Sequence, residues 1–246
     1  MIFLRLSVIS IGLILIWQVV VYLTGSPPYI LPGPLPVAKA LVAKWETLWF
    51  HAWITIAEIV AGLVIGSLLG ATSALIMMAS RSLKRWLLPV FVISQAVPVF
   101  ALAPLLVLWL GYGMGSKITM AVLIIFFPVT AAFYDGLRRT EPEWLELGRV
   151  MNASPSAILY HIRIPAALPA FASGLRVATA VAPIGAIVGE WVGSSAGLGF
   201  YMLHANARMQ TDLMFAALAL LVTVALILYF LVDWMMKKIV YWQIEE

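Results

Sequence analysis

Residues that could carry out covalent chemistry are scarce in this chain and widely separated. It has 246 residues and no cysteine, which excludes a thiolate metal site and a cysteine nucleophile. The three histidines, His51, His161 and His204, lie far apart and share no metal-ligand spacing. The string at 111–117 contains glycines and a lysine, but it lacks the G-x4-G-K-[ST] order of a phosphate-binding loop. The sequence therefore predicts neither a metal site nor an enzyme.

Polar residues inside long apolar segments are better candidates for function. Glu58, Gln95 and Glu190 each interrupt such a segment. A charge at the centre of a membrane span costs about 2.5–3.5 kcal/mol on insertion scales, so it usually faces protein or water. We expect Gln95, close to the helix-breaking Pro98, to line a translocation path, because irregular backbone at membrane depth normally borders a cavity.

The two acids allow more than one interpretation. Glu58 and Glu190 lie towards the ends of their apolar segments, where a charge costs less. They either line the same path, or they snorkel, cap a helix or pair with Arg176. These alternatives stay open at the level of the sequence.

The elements that position these residues must lie in a membrane. The chain is 63% apolar and 11% charged, whereas a soluble domain is about 45–50% apolar and 25% charged. A soluble globule of this size could not bury so much apolar surface, and intrinsic disorder requires the opposite composition. The net charge of +4 is weak and scattered, so no nucleic-acid partner is predicted.

Six apolar stretches are long enough to cross a membrane, since one crossing takes about 20 residues. They cover residues 6–23, 53–79, 86–115, 118–134, 170–192 and 213–232. Prolines in the third stretch predict a span with kinked or broken ends. In the second stretch Gly62, Gly66, Gly70 and Ala74 recur every four residues, which predicts close packing against another helix. The predicted fold is all-α, a polytopic membrane helix bundle of six transmembrane helices.

Basic residues orient this bundle, because they concentrate on the cytoplasmic side. One side carries Arg5, Arg81, Lys84, Arg85, Arg138, Arg139, Arg149, Arg163, Lys237 and Lys238. The other side carries only Lys39, Lys44, Lys117 and Arg208. Both termini are therefore predicted to be cytoplasmic. Residues 37–49 have apolar positions at helical spacing and form either an interfacial helix or an ordinary helical connector.

The longest polar stretch, 135–169, lies on the basic side. Ser154-Pro155, next to Asn152, indicates a turn. Residues 141–151 and 156–164 suit a short helix on either side of it, so we predict a helix–turn–helix hairpin. The apolar residues of its first helix have no evident cover, which favours a partner groove; they are Trp144, Leu145, Leu147 and Val150.

This hairpin resembles the EAA motif of permease subunits of ATP-binding-cassette (ABC) importers. That motif runs E-A-A, three residues, G, nine residues, I-x-L-P. Glu146-Leu147-Gly148 stands at E-A-A, Asn152 at the glycine, and Ile162-x-Ile164-Pro165 at I-x-L-P, with the spacing kept throughout. Asparagine is the mildest replacement if the turn needs a left-handed residue. The resemblance implies an ATPase-coupling loop formed by Glu143, Glu146, Leu147, Gly148, Asn152, Ala153, Ile162, Ile164 and Pro165.

The likeness extends over about residues 29–234. The strings 32–36, 95–105, 174–176 and 197–199, together with Glu190, are similar to permeases for nitrate, sulfonates, taurine and thiamine-precursor (hydroxymethylpyrimidine) compounds. This likeness implies a methionine-importer-type (type I ABC importer) core in a bacterial inner membrane. Residues 1–52 would hold the first span and the interfacial helix, and 53–246 a five-helix core with the coupling loop at 135–169.

The resemblance also implies partners and a role. These are a cytoplasmic ABC ATPase dimer, an external or periplasmic substrate-binding protein, a second identical permease and membrane lipid. ATP and Mg²⁺ would bind the ATPase, with no cofactor on this chain. A thiamine-precursor pyrimidine is the preferred substrate, since no Lys or Arg lies near a span centre to hold an anion. The alternatives are taurine, sulfonates or nitrate, and, as another class, a secondary carrier or channel not coupled to ATP.

Overall fold

The structure is a computed structural model that describes residues 2–242, without the side chains of residues 2–7, 10, 81 and 95. Within this range the chain is helical and contains no β-strand. The helices are α1 (Ile2–Thr24), α2 (Pro34–Ala43), α3 (Trp45–Ala79), α4 (Arg81–Ala96), α5 (Val99–Leu110), α6 (Met114–Arg138), α7 (Pro142–Val150), α8 (Pro155–Ile158), α9 (Ile164–Gly193), α10 (Leu198–Ala207) and α11 (Thr211–Ile239). A π-helical segment, Leu159–Arg163, joins α8 to α9.

Helix α6 lies at the centre of the bundle, between α3 and α9. Ala121 of α6 contacts a glycine on each side. A Cβ added at Gly62 of α3 would lie 2.5 Å from the Ala121 Cβ, and one added at Gly185 of α9 would lie 2.7 Å from its Cα. The three backbones therefore approach more closely than larger side chains would allow.

The small-residue stripe predicted in the second span is confirmed. Gly62, Gly66 and Gly70 face α6 along its length, and Ala74 is fully buried. Helix α9 presents a second face of this kind to α6, which the sequence analysis missed. It consists of Gly174, Gly185 and Gly189. The matching faces explain why α6 packs so extensively against both neighbours.

Four helical stretches are long and apolar enough to cross a membrane: α3, α6, Pro155–Gly193 and α11. Helices α4 and α5 meet the same requirement as a pair, but they are bent by 100°. Pro98 lies at this break as the N-cap of α5, so the third predicted span is broken in its middle and not at its ends. Helix α1 has 23 residues where the first span is predicted. Four spans, or five with the bent pair, are thus described, and six remains a prediction.

The segment before α3 differs from expectation. The predicted helix over 37–49 divides at Lys44: α2 ends at Ala43, and Trp45 begins the long helix α3. Val37 and Ala40 of α2 are buried in a cluster with residues of α11. This packing against protein, which a sequence pattern cannot distinguish from burial in lipid, fixes α2 as a separate element.

The connections gather at two ends of the bundle. The hairpin end carries α7 and α8, and Arg163 there contacts the ends of α3 and α6. The α10 end carries α10 and the starts of α3 and α11, and His51 contacts Gly197 there. Helices α3, α6, α9 and α11 run between these two ends.

Replacing Gly185 by Ala tests the close approach of α9 and α6. The new methyl group would lie 2.7 Å from the Cα and 3.1 Å from the N of Ala121, so the helices must separate, at a cost of about 1–3 kcal/mol. Gly115→Ala is the matched control, because nothing lies within 4 Å of a Cβ there and alanine favours helix by about 1 kcal/mol. Thermal unfolding in detergent measures both variants. Equal melting temperatures would contradict the packing described.

Candidate functional site

Helix α7 forms the first half of the hairpin and keeps an apolar face uncovered. Pro142 occupies its first turn, where the missing N–H costs no hydrogen bond. Trp144, Leu147 and Val150 are 48%, 61% and 80% exposed. The predicted apolar face is therefore present at these three residues, whereas Leu145 is half-buried.

Asn152 ends α7 in the left-handed conformation, with φ +54°. The N–H of Ala153 donates to the carbonyl of Gly148 and that of Asn152 to Arg149, both at 2.9 Å. This pair of bonds is a Schellman motif, which requires a left-handed residue at the position of Asn152. The structure thus confirms why glycine or asparagine suits this place in the motif.

Gly148 lies on the inner side of the hairpin. A Cβ there would be 3.0 Å from Ile162 Cδ1 and 3.3 Å from Ile158 Cγ1, so the two halves of the hairpin pack through this position. Glu146 and Leu147 consequently lie on the outer side, where both are exposed. The outer side chains are accessible, and the inner contact at Gly148 packs the two halves of the hairpin together.

The second half of the hairpin continues into a membrane span. Ser154 Oγ accepts a hydrogen bond from the N–H of Ala157 at 3.2 Å and caps α8. The π-helical segment follows, and Ile164 and Pro165 are the first residues of α9. Sequence analysis placed a second short helix over 156–164, whereas the structure shows one helical stretch from Pro155 to Gly193.

Three of the predicted coupling residues border one shallow apolar cleft. Leu147, Ile162 and Pro165 line a space of about 470 Å³ together with Trp144 and Trp242. Glu143, Glu146, Asn152 and Ala153 lie outside this cleft, on α7 and the turn after it. The hairpin therefore offers an apolar cleft beside an acidic outer edge.

The hairpin is attached to the rest of the bundle by Arg163. Its guanidinium Nη1 donates to the carbonyl of Leu137 at 3.3 Å and to Sδ of Met78 at 3.5 Å. These partners lie at the ends of α6 and α3. Arg163 therefore connects the hairpin to α3 and α6, and the chain continues directly into α9.

At the other end of the bundle, four polar side chains form what we call the buried polar cluster: Thr55, Glu58, Lys117 and Glu190. Each is at most 2% exposed. Glu190 Oε1 accepts from the Thr55 hydroxyl at 2.6 Å, and Thr55 Oγ1 accepts from the N–H of Leu198 at 2.8 Å. The cluster thus joins α3, α9 and the start of α10.

Glu190 acts as the cap of α10. Its Oε2 accepts from the backbone N–H of Gly199 and, at 3.3 Å, from that of Phe200. These are free donors of the first turn, where a negative charge is favourable. A Cβ at Gly197 or Gly199 would collide with this carboxyl group, and Gly197 has φ +114°. Helix capping is therefore the observed role of Glu190, and Arg176 pairs with Asp233 at 2.6 Å instead.

Lys117 is the member that the sequence analysis missed. Predicted outside the membrane, it is buried in α6, and its Nζ donates to the carbonyls of Tyr112 and, at 2.9 Å, Gly113. It also interacts electrostatically with Glu58 and Glu190, which neighbour each other. A buried cation near two acids lowers the net charge that the interior must hold. One sequence signal for this cluster was available: Thr55 and Glu58 are one helical turn apart, which places two polar side chains on the same face of α3.

The other path candidates lie elsewhere. Pro98 is exposed at the break between α4 and α5. Gln95 lies in the last turn of α4, and its side chain is outside the described part of the structure. Glu58 and Glu190 are enclosed within one copy of the bundle. The structure therefore does not bring the four candidates together. Among the described residues no group of three or more His, Asp or Glu is placed to hold a metal ion.

A bundle of membrane-crossing helices, packed on glycines and carrying an exposed hairpin at one end, defines a polytopic membrane protein. The sequence matches the family of binding-protein-dependent transport system inner membrane components over residues 62–241, and the chain belongs to this family. It is therefore a permease subunit of an ABC importer.

Two relatives are similar to this chain in sequence, and one solved structure is similar in fold. The chain is 58% identical to a probable ABC transporter permease of Haemophilus influenzae, over 93% of this chain and 94% of that one. It is 39% identical to the formylaminopyrimidine transport permease ThiX of Halalkalibacterium halodurans, over 81% and 78%. Its fold is similar to that of the MetNI methionine ABC transporter, with TM-score 0.61 and 22% identity over 82% of this chain and 97% of that chain. The expected methionine-importer-type fold is thus confirmed.

Removing the carboxyl group of Glu190 tests the cap of α10. Glu190→Ala leaves the N–H groups of Gly199 and Phe200 without an acceptor, and the Thr55 hydroxyl keeps only the His51 carbonyl at 3.3 Å. Each unpaired buried group costs about 1–3 kcal/mol. Glu190→Gln keeps one acceptor oxygen, so we expect wild type to be more stable than Glu190→Gln, and Glu190→Ala least stable. Thermal unfolding gives the order, and hydrogen exchange at Gly199 and Phe200 locates the loss. The exposed Glu46→Ala is the control and should change stability by under about 0.5 kcal/mol. An Ala variant as stable as this control would refute the cap.

Proposed function

We propose that two copies of this chain form the membrane pathway of an ATP-driven importer in a bacterial inner membrane. A separate ABC ATPase dimer, which binds ATP and Mg²⁺, docks on the hairpin end, and an external or periplasmic binding protein delivers the solute at the α10 end. This chain carries no cofactor in the proposal and performs no catalysis.

The observation that carries the proposal is the exposed face of α7. A short helix with three uncovered apolar side chains fits a groove in a partner protein, and the Schellman turn holds it at a fixed angle. Glu146 on the outer side would anchor the contact, and Leu147, Ile162 and Pro165 would supply its apolar part. Contacts of Arg163 with α3 and α6 would pass the movement of the ATPases to the spans.

Charge supports the proposed orientation. Arg149 and Arg163 lie in the hairpin, and Lys237 and Lys238 lie in the last turn of α11 at the same end. Basic residues concentrate on the cytoplasmic side of membrane proteins. Both termini are then cytoplasmic, and α10 faces outside.

A substituted pyrimidine is the proposed solute. The identity to a formylaminopyrimidine permease supports it. Lys117, a buried basic residue at the α10 end, donates to two backbone carbonyls, which supports a solute other than taurine, a sulfonate or nitrate. The path would lie between the two copies, where the exposed break at Pro98 is available.

Substitutions in the hairpin test the coupling. Glu146→Lys reverses the anchoring charge, and Asn152→Val places a β-branched residue in a left-handed position at a cost of about 1–2 kcal/mol. We expect both to abolish uptake while the protein stays in the membrane and folded. Controls are Glu46→Lys at the α10 end and Asn152→Gly, which suits the turn; both should transport normally. Uptake that survives Glu146→Lys and Asn152→Val, or that needs no ATP, would favour a secondary carrier.

Uptake by the complete transporter tests the substrate. Cells with the permease, ATPase and binding protein should accumulate labelled hydroxymethylpyrimidine, and excess unlabelled pyrimidine should compete. Taurine, alkanesulfonates and nitrate should not compete, because they are anions or zwitterions without a ring. ATP-dependent uptake of one of these in place of the pyrimidine would correct the solute and leave the importer assignment intact.

A further inference from the structure

A small pocket at the α10 end has no role in the coupling described so far. It lies between the start of α3 and helix α10 and has a volume of about 280 Å³. Four ring-bearing side chains border it: His51, Phe200, Tyr201 and His204. Arg208 and Gln210 supply polar groups at its edge.

Ring contacts link the four side chains. His51 Nδ1 accepts a hydrogen bond from the N–H of Gly197 at 3.1 Å, which leaves Nε2 to carry the proton in the neutral ring. His51 stacks on Tyr201 with centroids 5.0 Å apart and an interplanar angle of 28°. The ring centroids of Phe200 and His204 lie 4.2 Å apart. The pocket is therefore bordered by aromatic surfaces that need little rearrangement to receive a flat ligand.

Backbone strain lies between the two polar residues of the pocket. Met209 has φ +58°, a left-handed conformation that costs a side-chain-bearing residue about 1–2 kcal/mol. The N–H of Gln210 donates to Ala205 O at 2.9 Å and that of Met209 to Asn206 O at 3.0 Å, which makes a second Schellman motif. The motif turns Arg208 and Gln210 back to the pocket. Such strain is concentrated at functional sites in proteins.

The polar groups indicate what the ligand must offer. Arg208 forms no ion pair with a described carboxylate, and a guanidinium only donates hydrogen bonds. The Gln210 amide both donates and accepts. A ring with acceptor nitrogens and an amino substituent would satisfy both residues at its edge while its faces lie against the aromatic side chains.

The size of the pocket limits the ligand to one ring. Pockets for small molecules usually measure about 300–1,000 Å³, and this one, at about 280 Å³, is slightly smaller. A substituted single ring fits this volume, whereas a fused three-ring flavin does not.

We propose that this pocket is a binding site for a single-ring nitrogen heteroaromatic solute, used on the outer face before the solute enters the path. The inference rests on the proposed function for the orientation of the α10 end. It adds a site on the permease itself, and a ligand there bridges α3 and α10. Thr55 of α3 is hydrogen-bonded to Glu190 and to the first residue of α10. A ligand that bridges α3 and α10 therefore binds next to the buried polar cluster.

Direct binding to the complete transporter tests the site. The permease–ATPase complex in lipid nanodiscs, without binding protein, is titrated with labelled hydroxymethylpyrimidine. We expect saturable binding that riboflavin and taurine do not displace. His204→Ala and Arg208→Gln should each weaken it about tenfold or more by removing a stacking or hydrogen-bonding group. Lys44→Gln, which removes an exposed cation from the same end, should bind as wild type does.

Two features keep the test decisive. His51 is left intact because its hydrogen bond supports the fold, and melting temperatures equal to wild type establish that the variants are folded. Saturable binding unaffected by His204→Ala and Arg208→Gln overturns the proposed site, and so does an absence of binding up to about 1 mM in a transporter that imports pyrimidine. Import of another solute, with no pyrimidine import, instead overturns the substrate under the proposed function.

Discussion

The packing of α6 between two glycine faces is the constraint on which the rest of the structure depends. In lipid there is little hydrophobic force between helices, so association relies on close van der Waals contact. Ala121 meets Gly62 on one side and Gly185 on the other, and a single larger residue at either place would separate the spans. Because α6 holds Lys117 near one end and Leu137 near the other, this packing positions both candidate sites.

The two ends of the bundle are connected through α9. Its first turns continue the hairpin, and Glu190 near its last turn caps α10. A helix of 30 residues joins these points, with α3 attached at both ends through Met78 and Thr55. The geometry therefore connects the exposed hairpin at one end of the bundle to α10 at the other. The polar cluster at the far end gives that link a defined, hydrogen-bonded terminus.

Sequence patterns anticipated the features that depend on local chemistry. Helical crossings follow from long apolar runs and the α7 hairpin from its turn residues, while the expectation of a left-handed residue at Asn152 comes from the glycine that the EAA motif has there. The burial of Lys117 could not be predicted, because a lysine beside glycines at a span boundary looks like a loop residue until its carbonyl and carboxylate partners are in place. For Glu190 the sequence leaves capping open among several roles, and only the position of α10, which begins several residues later, selects it. Likewise the position of the break at Pro98, among three prolines, depends on tertiary contacts.

The π-helical segment Leu159–Arg163 sets the rotational position of the exposed apolar face of α7. A π turn corresponds to one residue inserted into an α-helix, and one residue corresponds to about 100° of rotation around the axis. The segment lies between the hairpin and α9, so it determines the azimuth at which Trp144 and Leu147 emerge relative to the glycine face of α9. A related permease with a different residue count in this segment would present the same hairpin in another direction, and under the proposed docking it would require an ATPase groove of a different orientation.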